Sequence, residues 1–309
     1  MDKRDDKRDD KRDDKRDDSR DGYPGPVRDS REVGGAWASF QRFGFAAPSA
    51  GLAHLVSRYW WARWDLRGQP DYHQLIVPYP SVQLTFPGDG PALVRGVSRG
   101  RVRRTLSGVG AAFGIVFRPG VFRRFLGDPA AALTDRALPA TAVLGPGLPA
   151  LRPTPAAVLG PDLPALRPAP GGTGEDELAA VGVDVREVDA MLLGRMPPDD
   201  PVGDEVAGWM ARIAASSELR RVDLVAERFG VGSRHLQRLF AEHVGVSPKW
   251  VIRRFRLHEV TERLAASLPG GTVDWAGLAA DLGYVDQAHL TREFTAMFGE
   301  PPTVYAARY

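Results

Sequence analysis

The sequence contains no cysteine. Disulfides, thiolate zinc sites, iron–sulfur clusters and cysteine nucleophiles are therefore excluded, and so is DNA repair by methyl transfer to a protein thiol. A Walker-type phosphate loop is also missing. Only His54 and His73 lie outside the C-terminal helical region, so a metal-dependent enzyme would lack ligands. These absences argue against an enzyme, and no cofactor is expected.

Long apolar runs are missing as well. No run approaches the roughly 18 consecutive apolar residues needed to span a bilayer. The N-terminus is charged rather than apolar, so no secretory signal is expected. We therefore expect a cytoplasmic protein without a membrane partner.

The length of 309 residues predicts about two domains. The 41 Lys and Arg nearly balance the 39 Asp and Glu, so local patterns have to carry the argument. Residues 2–17 repeat Asp-Lys-Arg-Asp four times and contain no apolar side chain to offset the entropy of ordering. Residues 1–35 are predicted to form a disordered charged tail. The alternative is a solvated helix held by opposite charges three and four residues apart.

Short β-rich runs separated by Pro and Gly turns occupy residues 36–140, which are predicted to form a β-rich regulatory domain. Within it, Trp60, Trp61, Trp64 and Tyr72 are interpreted either as core or strand-surface aromatics or as the lining of a ligand pocket.

A Pro/Gly-rich linker is predicted at residues 141–174, where 142–153 and 157–168 are nearly identical copies 15 residues apart. Apolar residues then return at helical spacing, and residues 175–217 are predicted to form connector helices. A connector, a lid on the β-rich domain and a dimer seam are all consistent with this pattern.

The C-terminal region, residues 218–309, contains the same pattern twice. Each copy consists of an apolar-striped helix, a Gly turn and a second apolar-striped helix, which is the arrangement of a helix-turn-helix. Gly230 and Gly283 lie where a helix end needs a left-handed residue. Five residues of the first copy recur 54 positions later: Leu236, Arg238, Phe240, Gly245 and Pro248 correspond to Leu290, Arg292, Phe294, Gly299 and Pro302.

Helix caps and a spacer helix complete the pattern. Ser233 and Asp286 are predicted to cap the second helix of each unit. Pro248 is predicted to begin a helix that runs to about Ala266 and sets the spacing of the two units.

The apolar stripes alone indicate only a helical bundle, so the polar faces decide between a bundle and a DNA-binding domain. Ser233, Arg234, Gln237 and Arg238 face outward in the first unit, and Gln287, Ala288, Thr291 and Arg292 in the second. Arg pairs bidentately with guanine and Gln with adenine. Between Arg234 and Arg256 there are six basic residues and one acidic residue. This excess of positive charge favours contacts with DNA phosphates.

These residues resemble the DNA-binding domain of AraC/XylS-type transcription regulators. The resemblance rests on Val225–Gly230, Ser233–Phe240 and Val244–Lys249, and on their counterparts Leu278–Tyr284, Asp286–Phe294 and Met297–Pro302. It implies two helix-turn-helix units whose recognition helices enter successive major-groove segments. The implied base-reading residues are Arg234, Gln237, Arg238, Gln287, Ala288 and Arg292, and the implied phosphate contacts are Ser233, Lys249, Arg253 and Arg254.

The β-rich region resembles, more loosely, the sensor-like domain of a bacterial subgroup of these regulators, through 54–60, 80–86 and 114–120. The expected fold class is α+β, with a cupin-like or related barrel followed by an all-α domain. Double-stranded DNA is the expected partner, RNA polymerase and an unidentified small-molecule effector are further candidates, and monomer and homodimer both remain open. Alternatives for the function are a cupin-like small-molecule enzyme and a protein-interaction bundle.

Overall fold

The computed structural model describes residues 40–148, 151, 153, 182–266 and 273–307, with the side chains of 265 and 266 excepted. The predicted tail at residues 1–35 and most of the predicted linker lie outside this part. No helix within it combines the length and apolarity needed to cross a membrane.

The N-terminal part forms two antiparallel sheets. Their strands are β1 (Gln41–Ala46), β2 (Val56–Asp65), β3 (Tyr72–Ile76), β4 (Gln83–Pro87), β5 (Leu93–Arg95), β6 (Val102–Leu106), β7 (Val109–Phe117) and β8 (Ala137–Pro139). Six strands pair in the order β1-β2-β7-β4-β5-β8, and β3 pairs with β6.

In β1, buried and exposed residues alternate with the two-residue period of a β-strand. In β1 the pattern along QRFGFA leaves Phe43 and Phe45 exposed, and in β7 the stretch from Ala111 to Phe117 is wholly buried. Since β7 lies in the middle of the six-stranded sheet, both of its faces are covered. Across the β2–β7 pair, Trp60 and Trp64 lie opposite Gly114 and Gly110. A Cβ at either glycine would collide with the indole ring, so the glycines make room for the tryptophans.

The helices are α1 (Arg123–Leu126), α2 (Ala140–Leu144), α3 (Val185–Leu193), α4 (Pro201–Ala215), α5 (Val222–Arg228), α6 (Ser233–Leu239), α7 (Pro248–Ala266), α8 (Trp275–Asp281), α9 (Gln287–Phe298) and α10 (Pro302–Ala306). A widened helical turn, Phe240–Val244, follows α6 directly. The predicted α+β class, with a β-rich N-terminal part and a helical C-terminal part, is confirmed.

The connector region divides between two hydrophobic cores. Helix α3 buries Val188 and Leu192 in the core of the β-rich part. There Asp189 accepts hydrogen bonds from the Tyr59 hydroxyl and from the Ser49 backbone N–H. Helix α4 instead buries its apolar side, including Trp209, in the core of the first helix-turn-helix. Helix α3 therefore covers the β-rich core, while a connector, a lid and a dimer seam all stay predictions for this region.

The first residues of the predicted linker do not form an extended spacer. Residues Ala140–Leu144 form a short helix, and Leu151 is buried in the core of the β-rich part at 7% exposure. Apolar residues within a Pro-rich stretch can anchor it to a neighbouring core.

Candidate nucleic-acid interface

The first helix-turn-helix consists of α5 and α6. Gly230 has the predicted left-handed backbone, with φ of 66°, and turns the chain between the two helices. Leu236 and Leu239 of α6 are buried against α5. The predicted Ser233 cap is wrong, because Gly232 occupies the cap position and no side chain bonds the end of the helix.

The second unit consists of α8 and α9 and repeats this geometry. Gly283 is left-handed, with φ of 71°. The predicted Asp286 cap is confirmed, since its carboxylate accepts a hydrogen bond of 2.6 Å from the His289 N–H. Leu290 and Phe294 are fully buried. In each unit the apolar side of the second helix therefore packs in the core, and the opposite side is exposed.

The outward faces of α6 and α9 carry the predicted base-reading residues. All six side chains are exposed: Arg234, Gln237, Arg238, Gln287, Ala288 and Arg292. Because corresponding residues of the two units share both burial and exposure, the two faces are built alike.

One base-reading candidate is also held by neighbours. The Arg238 guanidinium forms an ion pair of 3.2 Å with Glu242 and lies 3.1 Å from Nδ1 of His235. The Arg238 side chain nevertheless stays 61% exposed. Glu242 also forms an ion pair of 3.0 Å with Arg123 of α1, so it joins the first recognition helix to the β-rich part.

The second recognition helix is fixed to α7 by a carboxylate. Glu293 forms an ion pair of 2.9 Å with Arg253 of α7 and lies 3.4 Å from Nε2 of His289. Burial and the Glu293 charge raise the pKa of the adjacent Tyr284 hydroxyl. This network ties the orientation of α9 to the spacer helix.

Comparison with known proteins gives two matches to family models. Residues 225–308 match the model of a helix-turn-helix domain. The chain carries an AraC-type helix-turn-helix domain. Domains of this type belong to DNA-binding transcription regulators. Residues 45–139 match a domain of unknown function, DUF6597.

The comparison with curated proteins finds none that is significantly similar to this chain. Among solved structures, ToxT from Vibrio cholerae is similar at 9% identity and a TM-score of 0.39, covering 86% of this chain and 98% of ToxT. A ToxT structure with bound unsaturated fatty acid has 8% identity and a TM-score of 0.37, covering 77% of this chain and 91% of ToxT. Values this low carry no conclusion about ligand or mechanism.

Three of the four predicted phosphate contacts in the AraC-type domain are exposed. Ser233, Lys249 and Arg253 face outward, although Arg253 shares its charge with Glu293. Arg254 is placed elsewhere than predicted: it is 7% exposed, its Nη2 donates to the Arg99 carbonyl at 3.0 Å, and its guanidinium lies 4.4 Å from the Trp250 ring. Burial lowers its pKa to about 10. In this arrangement Arg254 cannot reach a phosphate.

Arg254 belongs to a face of α7 that docks on the β-rich part. Trp250, Arg254 and His258 are spaced four residues apart and share this face. Trp250 Nε1 donates to the Arg99 carbonyl at 3.4 Å, and His258 Nε2 donates to the Pro78 carbonyl at 3.2 Å. The ring of Tyr79 packs 5.3 Å from His258. Because Trp250, Arg254 and His258 mix aromatic and polar side chains, this face could not be recognised as a docking surface from the sequence.

His258 makes this docked contact sensitive to pH. Burial lowers the pKa of His258 to about 4, with smaller contributions from the charges of Arg254 and Arg58. In an unfolded chain the pKa is about 6.5. Between these values the unfolded state binds the extra proton, so stability falls as pH falls. We expect a urea titration of the whole chain to show lower stability at pH 5 than at pH 7.

The control for this expectation is the His258→Gln variant, which retains a donor but does not titrate. His243 stays in both chains, and burial lowers its pKa also. The pH dependence of the variant should therefore be smaller but not absent. An identical pH dependence in the two chains would contradict the assignment to His258.

A cavity of about 610 Å³ lies in the β-rich part. It is lined by residues of β1, β2, β3, β4, β6 and β7, together with Tyr305 of α10. Trp60, Trp61, Trp64 and Tyr72, the four aromatics interpreted either as core or as pocket lining, all line it. Trp61 and Tyr72 are also buried, at 3% and 1% exposure, so these two residues belong to the packed interior, and ligand binding in the cavity stays a prediction.

Proposed function

We propose that the chain is a sequence-specific transcription regulator whose helices α6 and α9 read successive major-groove segments on one face of DNA. One observation carries the proposal: residues 54 positions apart have the same environment. Leu236 and Leu290 are 0% exposed, and so are Phe240 and Phe294. Arg238 and Arg292 are exposed. Two equivalent polar faces, each fixed to its own core, suit two equivalent sites on a duplex.

The spacer helix α7 supports the same proposal. It runs as one element of 19 residues from the end of the first unit to the second. Its first half packs in the core of the first unit through Val251 and Ile252, and its second half packs in the core of the second through Val260 and Leu264. A single helix that belongs to both cores can hold two recognition helices about one helical turn of DNA apart, roughly 34 Å.

Base contacts would come from the six exposed residues of the two helices, and Ser233, Lys249 and Arg253 would contact phosphates. Phosphate contacts fix the position of the protein, and base contacts select the sequence. Ala288 can offer only an apolar contact, as to a thymine methyl, so the second helix would read fewer bases by hydrogen bonds. We also propose domain limits at 36–140 and 218–309 and RNA polymerase as a partner. The proposal covers both a monomer and a homodimer.

A selection experiment tests this function. The whole chain is used to select binding sequences from a random duplex library, and the affinity of the best duplex is then measured over a salt series. We expect a site with two conserved segments and an affinity that falls steeply with salt. The logarithmic slope should become less steep by about one on Lys249→Gln, because one phosphate contact is lost.

The matched control is Arg186→Gln, an exposed arginine on α3 at the β-rich part. Its slope should equal that of the unchanged chain. Failure to enrich any duplex, or binding that is indifferent to salt, would contradict the proposal and favour a protein-interaction bundle.

A further inference from the structure

The cavity in the β-rich part is built as a binding site rather than as a packing defect. Its volume of about 610 Å³ lies in the range of pockets for small ligands, roughly 300–1,000 Å³. Six aromatic side chains contribute to its wall: Phe43, Phe45, Trp60, Trp64, Tyr72 and Tyr305. Such walls favour a ligand with a flat apolar body, because rings stack with offset or edge contacts.

Several of these rings are held in place. Trp60 and Trp64 fit over Gly114 and Gly110, and their Nε1 atoms donate to Gln83 Oε1 and to the Ser107 carbonyl, both at 3.2 Å. A wall fixed before the ligand arrives loses little side-chain entropy on binding. Phe43 and Phe45, by contrast, are 58% and 52% exposed at the edge of the same cavity.

The charge of the wall has one sign. Arg58 and Arg104 line the cavity, and among the described lining residues no Asp or Glu is present. Burial, and then the charge of Arg104, lower the pKa of Arg95 nearby. Cationic side chains without a carboxylate partner in the wall attract an anion.

We propose that this cavity binds a small organic anion: a flat apolar body with one carboxylate or sulfonate group directed to Arg58 and Arg104. The aromatic wall takes the body, and the two arginines take the charge. This site does not depend on the proposed reading of DNA, since binding can be measured with no duplex present.

A pair of naphthalene probes tests the proposal on the whole chain. 1-Anilinonaphthalene-8-sulfonate carries the anionic group, and N-phenyl-1-naphthylamine has the same rings without it. Energy transfer from the cavity tryptophans to the probe reports binding. We expect saturable binding of the anionic probe, at least about tenfold tighter than that of the neutral probe.

Two variants separate this site from general adhesion to apolar surface. Arg104→Gln and Arg58→Gln should each weaken the binding of the anionic probe by about tenfold and leave the binding of the neutral probe unchanged. The matched control is Arg103→Gln, which removes a charge from the neighbouring position of β6 that does not line the cavity; it should change neither affinity. Equal binding of the two probes, equal effects of Arg103→Gln and Arg104→Gln, or the absence of saturable binding would each overturn the proposal. Because Arg58 is exposed, its variant tests the site even if Arg104→Gln perturbs folding.

Discussion

Truncation of Phe294 to alanine is expected to lower the stability of the second helix-turn-helix by about 3–5 kcal/mol, the usual cost of removing a fully buried ring. Phe294 is 0% exposed, stacks on Phe298 with ring centroids 4.2 Å apart and meets the edge of Tyr305 at 5.5 Å. It is the centre of the core that holds α9. Hydrogen exchange of amides in α8 and α9 measures this loss directly, without assuming that a multidomain chain unfolds in one step.

The control lies on the same helix. Arg292 lies two residues before Phe294 and is exposed, so Arg292→Ala should leave the protection of these amides unchanged. In the first unit, protection should be similar in both variants, because its core is separate. Equal loss of protection in Arg292→Ala and Phe294→Ala would show that α9 is not divided into a packed and a free side.

Removal of the Arg238 side chain is the second change with a large expected effect. Arg238→Ala should cost about 1–3 kcal/mol of binding to the selected duplex, because a bidentate contact to a base is lost. Binding to a scrambled duplex should change much less. Quantitative titrations with both duplexes at fixed salt measure the difference.

Lys249→Ala provides the comparison for Arg238→Ala. Lys249 is exposed at the start of α7 and is proposed to contact a phosphate, which carries no sequence information. Its loss should therefore weaken both duplexes by the same factor. If Arg238→Ala also weakened both duplexes alike, Arg238 would be a phosphate contact, and the first recognition helix would read bases through other residues.

The sequence was sufficient for features that depend on neighbours along the chain. The spacer helix was predicted from Pro248 to about Ala266, and the structure has those bounds. Gly230 and Gly283 were predicted to be left-handed, and both are. Helix ends, turns and apolar stripes are set by a few consecutive residues, and these can be recognised without knowledge of the rest of the fold.

Features that depend on distant segments could not be predicted. Arg254 was placed among the phosphate contacts because it lies in a basic stretch, but 155 residues earlier in the chain Arg99 offers it a carbonyl. Likewise, the helical spacing in α3 and α4 indicated two apolar faces without showing that they pack in different cores. Periodicity reports that a face is buried, whereas the partner of that face is fixed by the tertiary fold.

The cavity illustrates the same limit for a candidate site. Trp60, Trp61 and Trp64 are close in the sequence, and alternate residues of a strand point to opposite faces of a sheet. The sequence therefore left core and pocket as open alternatives. The position of the β3–β6 sheet and of Tyr305 in the same cavity wall shows that Trp60 and Trp64 face one space, whereas Trp61 packs in the core on the other side of the strand.

Methylation interference on the selected duplex tests the paired-helix claim most directly. Guanine N7 in the major groove is methylated before binding, and the duplexes that still bind the whole chain are sequenced. Two clusters of interfering guanines about one helical turn, roughly 10 base pairs, apart on one face of the duplex are predicted, with the first cluster lost in Arg238→Ala and the second in Arg292→Ala. A single cluster, or two clusters on opposite faces of the duplex, would contradict the account.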